Sequence, residues 1–171
     1  MPSHVLPKPD FILKKIQDHQ WHMQSALIEA RKAYKVDEVP IGAVIVDASG
    51  NVLSSQHNIK ESTSNPIGHA EILCIQDACE KIGNWRLENC TMYVTLEPCP
   101  MCMSALQQCR IKTVVFGAYD PKGGSLSLGF NLNNNKKLNH QFEVIGGIAH
   151  FECSQILSQF FKEKRNFYQK G

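Results

Sequence analysis

The 171-residue chain contains no apolar run long enough to cross a membrane. Residues 1–15, MPSHVLPKPDFILKK, include basic residues but no apolar stretch like that of a secretory leader. There is no internal repeat and no clear linker. Neither sign of charge dominates: 18 Lys and Arg stand against 16 Asp and Glu, a formal net charge of +2. That balance permits a nucleic-acid partner without requiring one. A composition of 43% hydrophobic and 20% charged residues excludes a disordered or fibrous chain and fits an ordinary globular domain. Seven cysteines form an odd set with no secretory context, which argues against a disulfide framework. The expectation is a cytoplasmic protein whose cysteines serve a metal or catalysis.

Residues 1–10 hold three prolines. Residues 1–15 are therefore expected to form a loose N-terminal arm, and 16–171 a single domain. From about Ile12 to Tyr34 apolar residues recur at helical spacing, among them Trp21, Ala26, Leu27 and Ala30. VPIGAVIVDASGNVLSS (39–55) reads as a hairpin turning at Ala-Ser-Gly-Asn. A polar loop, 57–68, leads into a helix over 69–83 that stops at Gly83. TMYVTL (91–96) is a β-rich run, and CPMCMSALQQC (99–109) is a helix that tolerates proline at its start. KTVVFGA (112–118) and FEVIGGI (142–148) are further strands, separated by a long Gly- and Asn-rich loop at 119–137. A last helix runs from about Glu152 to Tyr168. Strands alternating with helices predict an α/β layered domain.

The chemistry concentrates in two short stretches, GHAE (68–71) and TLEPCPMC (95–102). Taken alone, His69 and Glu71 read as a polar helix start stabilised by a carboxylate. Cys-x-x-Cys places Cys99 and Cys102 on one face of a helical turn, where a helix N-terminus eases thiol ionisation. Buried packing, a redox pair and metal ligation all remain open for two such thiols. The combination narrows the choice. Zinc accepts imidazole nitrogen and thiolate sulfur, and a catalytic site keeps three protein ligands and one open position. His69, Cys99 and Cys102 supply three. Glu71, two residues from the histidine, is better suited to holding a proton than to joining that set. A structural zinc would want a fourth Cys or His, and no other candidate shows paired spacing with these three. Cys74, Cys79, Cys90, Cys109 and Cys153 read as small buried hydrophobes, and Trp21 and Trp85 as core. Lys162, Lys164, Arg165 and Lys170 form either a solvated basic face or phosphate contacts.

HAE followed by PCPMC resembles the His-x-Glu and Pro-Cys-x-x-Cys signature of the cytidine deaminase-like zinc deaminases. The flanking blocks are similar to the bacterial tRNA adenosine deaminases: EVPIGAVIV (38–46), HN (57–58), NWRL (84–87), MYVTLEPCPMC (92–102), RIKTVVFGAYDPKGG (110–124), LNH (138–140) and GGIAHFECSQILSQFFKEKR (146–165). Together they span roughly residues 20–165. Before His69 the chain has NPIG, where the family commonly has Asp-Pro-Thr-Ala.

The resemblance implies a three-layer α/β/α cytidine deaminase-like fold, with a central mixed sheet of about five strands flanked by helices. It implies one zinc ion per chain on His69, Cys99 and Cys102, with Glu71 as the proton carrier. The implied reaction is hydrolytic deamination of adenosine to inosine at the wobble position of a tRNA anticodon. The target base must be splayed out of its stack, as a single-stranded loop allows. On the same resemblance Asn58 would contact the flipped base, Val39 would line its pocket and Asp120 would touch the neighbouring nucleotide. Lys162, Lys164 and Arg165 become candidate phosphate contacts, and a homodimer is expected. Three rivals share parts of this evidence: a free-nucleobase or nucleoside deaminase acting on guanine, cytosine or cytidine, a non-catalytic zinc module binding RNA or protein, and a thiol redox protein.

Overall fold

A computed structural model describes residues 9–168, so Lys170 lies outside the described residues. Helix α1 (Pro9–Lys35) precedes the hairpin of β1 (Gly42–Val46) and β2 (Val52–His57). Then come α2 (Ala70–Ile82), β3 (Thr91–Leu96), α3 (Pro100–Gln108) and β4 (Thr113–Ala118). A short 3-10 turn, η1 (Leu132–Asn134), interrupts the next connection, before β5 (Glu143–Gly146) and α4 (His150–Tyr168). The start of α1 differs from expectation. The helix takes in residues 9–15, assigned on sequence to a loose arm, because Pro9 opens it at a position where a missing N–H is harmless. Residues 1–8 lie outside the described residues.

The five strands form one sheet in the order β2-β1-β3-β4-β5. β1 is antiparallel to β2 and β3, whereas β3, β4 and β5 pair in parallel. The mixed sheet is therefore as expected. Alternate residues of each strand feed separate cores. Ala43, Ile45, Met92, Val94, Val114 and Phe116 pack with α2 and α3 residues such as Cys74, Met103 and Leu106. Val44, Val46, Tyr93 and Val115 pack with Met23, Ala26 and Leu27 of α1 and Cys153 and Leu157 of α4. Helices thus cover both faces. No helix among the described residues is long and apolar enough to cross a membrane.

Two expectations about tryptophan fail. Trp21 is 73% exposed and Trp85 53% exposed. The stripe of α1 that meets the sheet is Met23, Ala26, Leu27, Ala30 and Ala33, which leaves Trp21 on the outward side. Trp85 lies in the turn after α2, with the Arg86 guanidinium 4.3 Å from its ring centre. The cysteines outside the site behave as read: Cys74, Cys90, Cys109 and Cys153 are buried, Cys79 is half-buried, and all are free.

α1 presses directly on β1 at Gly42. A Cβ there would stand 2.1 Å from the Ala26 carbonyl oxygen and 2.4 Å from the Ala30 nitrogen. Gly42→Ala must push the helix backbone off the sheet and should destabilise the protein by at least about 1–3 kcal/mol. Urea denaturation reads this directly, and an unchanged midpoint would contradict the close approach.

Candidate functional site

β2 and β3 are both antiparallel to β1 and so run in the same direction, and the chain leaves the carboxyl end of each toward a helix. In such sheets the crevice outside the carboxyl ends of the strands is the usual place for a ligand. His69 is the N-cap of α2 and Cys99 the N-cap of α3, both with extended backbone. Cys102 lies in the first turn of α3. His69 Nδ1 is 3.7 Å from Cys99 Sγ and 3.5 Å from Cys102 Sγ. All three donor atoms lie within 4.8 Å of one another, a group that can hold a metal ion.

An N-cap side chain ordinarily bonds the free amides of its own helix. Neither His69 nor Cys99 makes such a bond. At α2 the first amide is satisfied from elsewhere: Ala70 N–H donates to Asn58 Oδ1 at 2.9 Å. At α3 the first helical residue is Pro100, which has no N–H to satisfy. The His69 and Cys99 side chains are thereby left to face each other.

The site's protonation is tightly linked. Cys99 is pulled down to about 4, first by its hydrogen bond with Cys102 and then by His69, against the opposing effect of burial. Cys102 is pushed up by the same hydrogen bond and by burial. The hydrogen bond with Cys99 raises His69. Glu71 sits in the first turn of α2, 4% exposed, and burial pushes its carboxyl above the ordinary range. Cys99 adds to the upward push on Glu71, and Glu71 in turn raises Cys102.

The other sequence-predicted residues fall in different settings. Asn58 is buried just after β2. Its oxygen is taken by α2, and among the described residues its Nδ2 has no partner. Val39 is half-buried just before β1 and packs with the α1/α4 core. Asp120 follows β4 and is half-buried, and its Oδ1 accepts from Lys122 N–H at 3.1 Å. On α4, Lys162 and Arg165 are exposed, whereas Lys164 is paired with Asp37 and lies 5.5 Å from the centre of the Phe160 ring.

Two buried carboxylates that hold loops, Glu38 and Glu97, escaped the sequence reading. Glu38 is fully buried and accepts from Ser62 N–H at 2.6 Å and Glu61 N–H at 3.2 Å, pinning the 57–68 loop that leads to His69. Burial raises its carboxyl, but the Ser62 and Glu61 donors outweigh that and hold it below the usual range. Glu97, between β3 and Cys99, holds the loop after β4 in the same manner.

The MafB19-like deaminase family matches residues 17–165. Fold and site together define a deaminase with the cytidine deaminase-like architecture. The tRNA-specific adenosine deaminase of Bacillus subtilis (strain 168) is 49% identical over 144 residues, covering 84% of this chain and 89% of the relative. That of Haemophilus influenzae is 44% identical over 143 residues, covering 84% and 83%. A solved structure, from work on A-to-I editing by tRNA:A34 deaminases at the wobble position of transfer RNA, has a TM-score of 0.75 and 42% identity, covering 80% of this chain and 98% of its own. The chain belongs to the tRNA-specific adenosine deaminase family.

The placement of Asn58 makes a stability prediction. Asn58→Ala leaves the Ala70 N–H unpaired in a buried position and should lower stability by about 1–3 kcal/mol. Asn58→Asp keeps the acceptor at a helix N-terminus, where negative charge is favoured, and should recover most of the loss. Denaturation curves of the three proteins decide it. Equal losses in both variants would mean that the bond to α2 is not what Asn58 contributes.

Proposed function

We propose that this chain hydrolytically deaminates adenosine to inosine at the wobble position of a tRNA anticodon, with one zinc ion held by His69, Cys99 and Cys102. The observation that carries the reading is the convergence of one imidazole nitrogen and two thiols beside the buried carboxyl of Glu71. The donors fit zinc. Zn–S near 2.3 Å and Zn–N near 2.0–2.1 Å in a tetrahedron require N···S separations of about 3.6 Å, and the two observed are 3.5 and 3.7 Å. Three protein ligands leave a fourth position for water. A zinc ion held there would supply hydroxide near neutral pH, by lowering the pKa of water from 15.7 to about 7.

The remaining chemistry belongs to the protein. Glu71 takes a proton from the attacking water and passes it to the adenine ring nitrogen. Glu71 then moves the water's remaining proton from the new C6 hydroxyl to the amino group as the C6–N bond breaks, so that ammonia leaves and the C6 carbonyl of inosine remains. Asn58 Nδ2 is free to donate to the flipped base, with its oxygen already committed to α2. Val39 lines the pocket and Asp120 meets the neighbouring nucleotide. Lys162 and Arg165 reach phosphates from the exposed side of α4. Lys164, held by Asp37, contributes less. The identity to relatives named for tRNA adenosine supports this substrate over a free base. A cytoplasmic location suits the seven free cysteines. A homodimer completes the reading and would appear in solution as twice the 19.2 kDa chain mass.

Glu71→Gln should retain zinc while losing turnover on an anticodon stem-loop by about 10²–10⁴-fold or more, since one acid–base group typically carries that much. The double variant Cys99→Ala, Cys102→Ala should lose the metal and much stability. Metal analysis beside inosine formation reads both. Glu71→Gln activity within tenfold of wild type, or full zinc in the double variant, sinks the assignment. Stem-loop affinity should also fall as salt rises. Neutralising Lys162 and Arg165 should flatten that slope, and an unchanged slope would leave them a solvated face.

A further inference from the structure

We infer that Glu97 is a positioning residue for the substrate: its buried carboxylate latches the loop after β4 beside the Cys99–Cys102 segment and preforms the wall of the site that carries Asp120. The inference deepens the proposed function and rests on it for the identity of the substrate.

Glu97 is 3% exposed. Among the described residues it makes no ion pair. Its three hydrogen bonds all come from the loop. Oε2 accepts from Asp120 N–H at 3.0 Å and from the Ser127 hydroxyl at 2.5 Å, and Oε1 accepts from Ser127 N–H at 2.8 Å. A carboxylate offers only acceptors, so it is matched to a set made only of donors. Flanking backbone adds two ties: Glu97 N–H donates to the Ala118 carbonyl at 2.8 Å, and Ser125 N–H donates to the Pro98 carbonyl at 2.9 Å.

The loop is shaped around this group. A Cβ on Gly124 would stand 2.3 Å from Glu97 Cδ and 2.5 Å from Oε2, so any side chain there must push the carboxylate out of its place. The loop then closes on itself through Gly124 N–H to the Asp120 carbonyl and the Ser125 hydroxyl to the Phe130 carbonyl. Leu128 and Phe130 remain exposed on it. Glu97 is two residues from Cys99. Its bonds therefore tie the position of Asp120 to the same rigid segment that carries two metal ligands. A loop ordered in advance spares the substrate the entropy of ordering it. Its loss should weaken binding rather than chemistry.

Glu97→Gln keeps the size of the side chain but turns an amide NH2 toward donors. Zinc content should be unchanged. Amide hydrogen exchange across 120–127 should rise about tenfold or more while β3 keeps its protection. KM for the stem-loop should rise about tenfold with kcat within about threefold of wild type. Gly124→Ala displaces the carboxylate from the loop side and should give the same pattern, so the inference stands or falls even if the Glu97 variant fails to fold. Unchanged exchange at 120–127 overturns it. So does a fall in kcat accompanied by zinc loss, because Glu97 would then serve the metal segment instead of the loop. If wild-type protein makes no inosine from the stem-loop, the proposed function fails, and the exchange result alone decides the latch.

Discussion

His69 and the two cysteines are some thirty residues apart in sequence, and their donor atoms meet only because two helices follow two strands that run in the same direction in one sheet. Each helix start leaves free amides that a capping side chain would normally engage. Here the caps are two of the three side chains that could hold a metal ion, and the amides are managed by other means. Asn58 reaches from the end of β2 to bond Ala70, and Pro100 has no amide to bond. Replacing that arrangement with an ordinary Ser or Asp cap would improve the helix and abolish the site. The N-terminal ends of α2 and α3 also favour the anionic thiolates that a cation requires.

The loops around this centre are held by buried acceptors. Glu38 takes two amides of the 57–68 loop, and Glu97 takes two amides and a hydroxyl of the loop after β4. In both cases a carboxylate substitutes for the backbone partners that a loop lacks, which satisfies polar groups that burial would otherwise strand. The sheet beneath is rigid for a related reason. At Gly42 and Gly117 helix and strand approach so closely that a single methyl group would collide, with Ala26 of α1 in one case and Cys153 of α4 in the other. α1 and α4 cannot slide without moving β1 and β4, the strands on either side of β3.

Much of this was legible in the sequence, for local reasons. The stop of α2 at Gly83 follows from a left-handed backbone at φ 64° that glycine adopts freely. The three converging donors, His69, Cys99 and Cys102, were legible because Cys-x-x-Cys and His-x-Glu place their groups within one helical turn. What stayed hidden depends on distant backbone. Glu97 sits next to the cysteine motif, but its partners are 23 and 30 residues away and are mostly amides, which carry no side-chain signature. Glu38 is hidden in the same way. Trp21 misled because the apolar stripe of α1 is completed by small alanines, so the largest side chain was not the buried one.

In the proposed function His69, Cys99 and Cys102 alone hold a zinc ion and leave one position open. X-ray absorption at the zinc edge of the purified protein tests it most directly. The expected result is a four-coordinate shell with two sulfurs near 2.3 Å and two light atoms near 2.0–2.1 Å, one an imidazole nitrogen and one exchangeable. A shell of three or four sulfurs, or one with two imidazoles and no exchangeable ligand, would contradict it.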